Sequence, residues 1–147
     1  MVLCLSAYRP MHNYQWAAMF DWPNVSGDVK RRLIDEPLQE RELLEDIPRL
    51  SEISDQISLK VREQYEKHPY PRWVTLPMAL KPLSVSEVAN ERQLKLSSDA
   101  IRNVQSPKIL IAGCGTGQHS IEAATRYKNC AVTAVDLSRT SLAYAKR

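Results

Sequence analysis

Lys108-Ile-Leu-Ile-Ala112, Gly113-Cys-Gly-Thr-Gly117 and, one helix further on, Cys130-Ala-Val-Thr-Ala-Val135 with Asp136 at its end decide how this chain folds. The first and last stretches are short apolar runs with little alternation, the pattern of parallel strands buried on both faces. Between them, 118–127 reads as a helix with Ile121, Ala124 and Tyr127 inward, and a helical crossover is what joins parallel strands. The chain has only four glycines, and three of them, Gly113, Gly115 and Gly117, fall within five residues. Glycine used so sparingly and then clustered marks a backbone that needs positive φ or close approach to another group. The order is therefore strand, tight turn, helix, strand, followed by a helix from Leu137 to Arg147 that Ser138 caps.

Upstream of this unit the sequence reads as helical and irregular. Pro10, Pro23, Pro37 and Pro48 each discourage a helix from passing through, so short elements are expected between them, at 28–36 and 38–45, with Leu33, Ile34, Leu43 and Leu44 as buried candidates. Ile53, Ile57, Val61 and Tyr65 recur every fourth residue and share one face of a helix ending near Lys67. His68-Pro-Tyr-Pro-Arg-Trp73 stops that helix and runs extended. Ser84-Val-Ser-Glu87 has the spacing of a capping box and opens a helix over 85–94, with a shorter one at 99–103. The reading divides the chain into a mainly helical segment and connector, 1–106, and the strand-helix-strand segment, 107–147. There is no internal repeat and no flexible linker.

Composition narrows the function classes. The chain has 147 residues, 20 Lys and Arg against 17 Asp and Glu, and a net charge of +3, too small and too dispersed for a nucleic-acid footprint. No apolar run is long enough to span a bilayer, and the first ten residues lack the features of a secretory leader. Cys4, Cys114 and Cys130 are an odd number without a CxxC pair, which points to neither a disulfide framework nor a zinc site. A reducing cytoplasm is the expected compartment. His12 and His68 lack metal-ligand spacing, so no metal is expected.

A glycine turn between a strand end and a helix start lets the main chain pass close under a ligand, and the following helix presents its free amides. Nineteen residues after Gly117, Asp136 ends the neighbouring strand, where a carboxylate can accept hydrogen bonds from both hydroxyls of a ribose. The bland alternative is a plain tight turn with Asp136 as the cap of the last helix. Dinucleotide folds typically space the glycines G-x-G-x-x-G, and here the spacing is G-x-G-x-G.

Ile109 to Gly117 resembles the first motif of class I S-adenosylmethionine (SAM) dependent methyltransferases, and Ala134-Val-Asp-Leu-Ser138 resembles their second. With Val61-Arg-Glu-Gln-Tyr65 and Pro69-Tyr-Pro-Arg-Trp73, the wording is similar to bacterial methyltransferases fused behind tetratricopeptide repeats. The resemblance implies an α/β, Rossmann-like methyltransferase fold, here an incomplete one, with SAM as cofactor. It implies that Gly113, Gly115 and Gly117, with Cys114 and Thr116 between them, form the turn along the methionine part, that Asp136 holds the ribose and that Leu137 packs on the adenine. Many members carry an acid two residues before the first glycine; Ile111 stands there. Cys114 reads as a small turn residue, His119 as a surface histidine, and Tyr70, Arg72 and Trp73 as a connector packed on the domain in preference to a lid.

The methyl acceptor, small molecule or protein, is not specified, and no catalytic residue is named, because those motifs lie beyond the two present. Arg147 reads as a truncation, and the isolated chain is expected to be inactive. Two other classes stay open: a nicotinamide-dependent oxidoreductase fragment, set apart by its glycine spacing, and a non-catalytic helical interaction module.

Overall fold

The structure, a computed structural model, describes residues 2–22, 25–52, 54–67 and 69–147. Pro23, Ile53 and His68, to which the sequence reading gave roles, lie outside the described residues. The architecture is mixed, with a small parallel sheet at its carboxyl-terminal end and helices elsewhere.

The amino-terminal part begins with α1 (Val2–Ser6) and a 3₁₀ turn (Met11–Asn13), then enters a continuous helical run of α2 (Gly27–Lys30), a π turn (Arg31–Asp35) and α3 (Glu36–Leu43). Pro37, expected from the sequence to break this run, lies inside it. The N–H of Glu36 donates to the carbonyl of Arg31, five residues back, and Pro37 follows at the second position of α3. A proline lacks an N–H and its ring collides with the carbonyl four residues earlier, so a wide turn directly before it is the register change that lets the helix proceed. Met11, Ala17, Trp22 and Ile34 form the core of this part, with Leu33 and Leu38 packed against it. Ile34 is fully buried as expected, whereas Leu33, Leu43 and Leu44 are half-buried.

Helix α4 (Gln56–Lys67) ends where the sequence places it, but its apolar stripe faces outward. Ile57, Val61 and Tyr65 are exposed, while Leu59, Arg62 and Glu66 turn inward. The cause is Glu66, whose carboxylate accepts hydrogen bonds from the N–H groups of Arg139 (2.7 Å) and Thr140 (3.3 Å) at the start of the last helix. A charged group that satisfies orphan amides at a helix start fixes which face docks.

The capping box forms as read: Ser84 Oγ accepts from the Glu87 N–H, and Glu87 accepts from the Ser84 N–H, at the head of α5 (Val85–Glu91). Three hydrogen bonds to Ser84, from its N–H and hydroxyl, and to Lys128 hold the Glu87 carboxyl down to about 2. A short α6 (Asp99–Arg102) precedes the sheet.

Strands β1 (Lys108–Ala112) and β2 (Ala131–Val135) pair in parallel, Lys108 opposite Ala131 and Ala112 opposite Val135, with α7 (Gln118–Arg126) between them and α8 (Arg139–Lys146) after. Ser138 caps α8 by accepting from the Ser141 N–H. Burial on both strand faces is not what the structure shows. Ile109, Ile111, Val132 and Ala134 are half-buried, whereas Lys108, Leu110 and Ala112 face outward, with Leu110 67% exposed. Helix α7 packs against β2, and the outward face has no helix over it among the described residues. Ala124, expected inward on α7, is exposed as well. One pairing had no sequence signal: Leu83 bridges Tyr127 in parallel, its N–H donating to Arg126 O (2.7 Å) and its carbonyl accepting from Lys128 N (2.8 Å). Among the described residues no helix is long and apolar enough to cross a membrane.

Candidate functional site

The turn from Gly113 to Gly117 takes left-handed backbone at each glycine, with φ of 70°, 54° and 85°. That conformation costs an L side chain energy, which is the physical reason the cluster is glycine. The turn is hooked to the end of β2. The N–H groups of Gly113 and Cys114 both donate to Val135 O, at 2.8 and 3.1 Å, and the Gly115 N–H donates to Asp136 Oδ2 at 2.7 Å. The second oxygen, Oδ1, accepts from the Ser138 N–H at 2.8 Å. The structure therefore brings the glycine turn and Asp136 together. Asp136 is not the cap of α8; Ser138 is, and the Asp136 carboxylate ties the turn to that cap residue.

The three glycines differ in what surrounds them. A Cβ built on Gly113 meets nothing within 4 Å, and one on Gly115 meets only the Tyr70 carbonyl at 3.6 Å. These two leave bare backbone for a ligand. At Gly117 a Cβ would stand 2.5 Å from the Cβ of Ala145, so this glycine admits the close crossing of α8. Gly117 is also the N-cap of α7 and offers no side-chain cap, which leaves the first-turn amides of that helix to other acceptors.

A cavity of about 370 Å³ opens beside the turn, lined by Ile111, Gly113, Cys114, Gln118, His119 and Glu122 among others. That volume lies in the range of small-molecule sites. Asp136 and Leu137 are not on this wall; Leu137 is 42% exposed on the β2 side of the turn. His119 lines the cavity as an exposed residue, and Glu122 brings a carboxylate that the sequence reading did not single out, bonded to Arg126 Nη2 at 2.8 Å. Its signal was present, one helical turn after Gln118 on the same face. Cys114 is buried; burial first, then the negative charge of Asp136, pushes its thiol up, away from the reactive thiolate.

The connector 69–73 forms the back of the turn. Thr116, 1% exposed, donates its hydroxyl to Pro71 O (2.6 Å) and accepts at its carbonyl from Trp73 Nε1 (2.9 Å). Tyr144 of α8 donates its hydroxyl to Trp73 O and meets the Trp73 ring edge-on, 5.3 Å between centroids. Burial pushes the Tyr144 phenol up, which keeps it a donor. Arg72 lies over the Tyr144 ring, 4.7 Å from its centroid, and pairs with Glu40 at 2.9 Å. Packing on the domain, the preferred reading of Arg72 and Trp73, is what the structure shows; the Tyr70 ring stays 74% exposed.

Residues 109–147, from the second residue of β1 to the residue after α8, match the family model described as "Methyltransferase domain". That match supports methyl transfer as the general chemistry of this segment. Comparison with curated proteins and with solved structures gives no match.

Proposed function

We propose that residues 107–147 are the cofactor-binding portion of a SAM-dependent methyltransferase with a Rossmann-like fold. The observation that carries this reading is the hydrogen bond between the Gly115 N–H and Asp136, which joins a bare, left-handed glycine turn to an acid at the adjacent parallel strand end, inside the matched segment.

The residues present fit such a cofactor. Gly113 and Gly115, with nothing but the Tyr70 carbonyl near a would-be Cβ, let the backbone lie along the methionine part, with Cys114 and Thr116 buried behind it. The uncapped first turn of α7 faces the methionine carboxylate, where helix dipole and amides favour an anion. Glu122 on the cavity wall provides the carboxylate for the methionine ammonium that Ile111 does not. Asp136 accepts from the ribose hydroxyls with its remaining lone pairs, and the exposed side chain of Leu137 covers the adenine. SAM brings its own activated methyl and sulfonium leaving group, so this portion of the protein binds and orients. No residue is assigned to the methyl acceptor.

The test must separate a ribose ligand from a turn brace, because Asp136→Asn also disturbs the turn. An Asn amide offers one acceptor where the carboxylate serves two backbone N–H groups, so the melting temperature falls in either case. A double-mutant cycle isolates the contact. S-adenosylhomocysteine and its 2′-deoxy analogue are titrated calorimetrically against both proteins. Removing the hydroxyl is expected to weaken binding to the parent by about tenfold, one charge-assisted hydrogen bond, and to Asp136→Asn by little. An equal loss in both proteins makes Asp136 purely structural.

A further inference from the structure

A second cavity, about 560 Å³, lies between the 3₁₀ turn, the π turn with α3, the carboxyl end of α4 and the start of α8, and shares no lining residue with the cavity at the glycine turn. Its charges do not balance. Arg32, Arg41, Lys67 and Arg72 line it against two carboxylates, Glu40 and Glu66, and both carboxylates are already committed. Glu66 binds the first amides of α8, and Glu40 is shared between Arg72 and Arg147. Arg41 donates to a neutral acceptor, Asn13 Oδ1. Arg32 has no carboxylate partner among the described residues, and the Lys67 pair with Glu63 is mostly solvent-exposed on both sides and contributes little.

His12, at the same wall, has its proton affinity lowered by burial first and then by the charges of Arg41 and Arg72. Leu33, Leu44 and Pro69, all half-buried, provide apolar surface beside the cationic groups, so the space takes a body of hydrocarbon as well as a charge.

We infer that this cavity is a binding site for a small organic anion, a carboxylate or phosphate on a compact apolar body, held by Arg32 and Arg41. The arrangement of donors favours this class, since guanidinium groups without carboxylate partners match the oxygens of either group bidentately. The site stands independently of the SAM reading, although Arg72, which lines it, directly precedes Trp73, whose indole N–H donates to the glycine turn at Thr116 O.

The purified full chain is titrated by calorimetry with phenyl phosphate, benzoate and the neutral benzyl alcohol. Saturable binding of at least one anion, with a dissociation constant of about 1 mM or below, and none of the alcohol is expected. Arg32→Gln and Arg41→Gln each weaken the anion by about tenfold, whereas Lys30→Gln, outside the cavity, does not. Among the described residues Arg32 has no side-chain hydrogen bond or ion pair to lose, so that variant is expected to stay folded, and matching melting curves check it. Phosphate preferred over carboxylate, or the reverse, identifies the group. Binding of the alcohol as tight as that of the anions, no saturation by either anion, or unchanged affinity in Arg32→Gln and Arg41→Gln overturns the proposal.

Discussion

A methyl group at Gly117 would stand 2.5 Å from the Ala145 Cβ, while one at Gly113 would stand in open space, although both residues have left-handed backbone. The two substitutions to alanine should therefore differ in a measurable way. Gly113→Ala carries only the backbone penalty, roughly 1–2 kcal/mol. Gly117→Ala carries that penalty and the overpacking of α8 against α7, about 1–3 kcal/mol more. Urea unfolding of both variants measures the difference, and Ala145→Gly should destabilise the parent by about 1 kcal/mol through its helix propensity but cost less, or stabilise, in the Gly117→Ala background. Equal losses at the two glycines would mean that the α8 crossing does not explain Gly117. The positive φ was legible from the clustering of rare glycines. The separate reason for the third one was not, because Ala145 is 28 residues away in the chain and its approach is set by how α8 packs.

At the scale of elements, the connector 69–73 straps the glycine turn through two hydrogen bonds to Thr116 and meets α8 through one aromatic contact, Trp73 against Tyr144. Trp73→Phe keeps the ring against Tyr144 and removes the indole N–H, which leaves the Thr116 carbonyl without that donor. The expected cost is about 1–3 kcal/mol, with faster amide hydrogen exchange at Gly115 to Gly117 than elsewhere in the sheet. Exchange that accelerates uniformly, or not at all, would show that the strap does not hold the turn. The elements legible from sequence were those whose cause is local. Ser84 and Glu87 satisfy each other's amides within one turn, and the strand-helix-strand order follows from apolar runs around a glycine cluster. The elements that escaped depend on distant partners. Pro37 passes inside a helix because a π turn precedes it, the α4 stripe faces outward because Glu66 caps α8, and Leu83 bridges Tyr127 without any β pattern around it.

Across the whole molecule, the helical segment and the sheet segment meet along α8. Its amino end is capped by Glu66 from α4, Arg139 Nη2 donates to Leu44 O, Lys146 pairs with Asp46 at 3.1 Å, and Arg147 pairs with Glu36 and Glu40. Arg72 and Arg147 both lie over the Tyr144 ring, 4.7 and 5.0 Å from its centroid, and the Glu40 carboxylate of α3 reaches the glycine turn through Arg72, Trp73 and Thr116. The site is thus built from both halves of the sequence, although only the second half announced it. The central claim, that this turn receives SAM, is tested most directly by nuclear magnetic resonance titration of the isotopically labelled protein, which detects weak binding as well as tight. Amide shifts that move saturably with SAM at Gly113, Gly115, Gly117 and Leu137, and do not move with NADH, are the predicted result; an undisturbed turn, or equal shifts with NADH, would contradict the account.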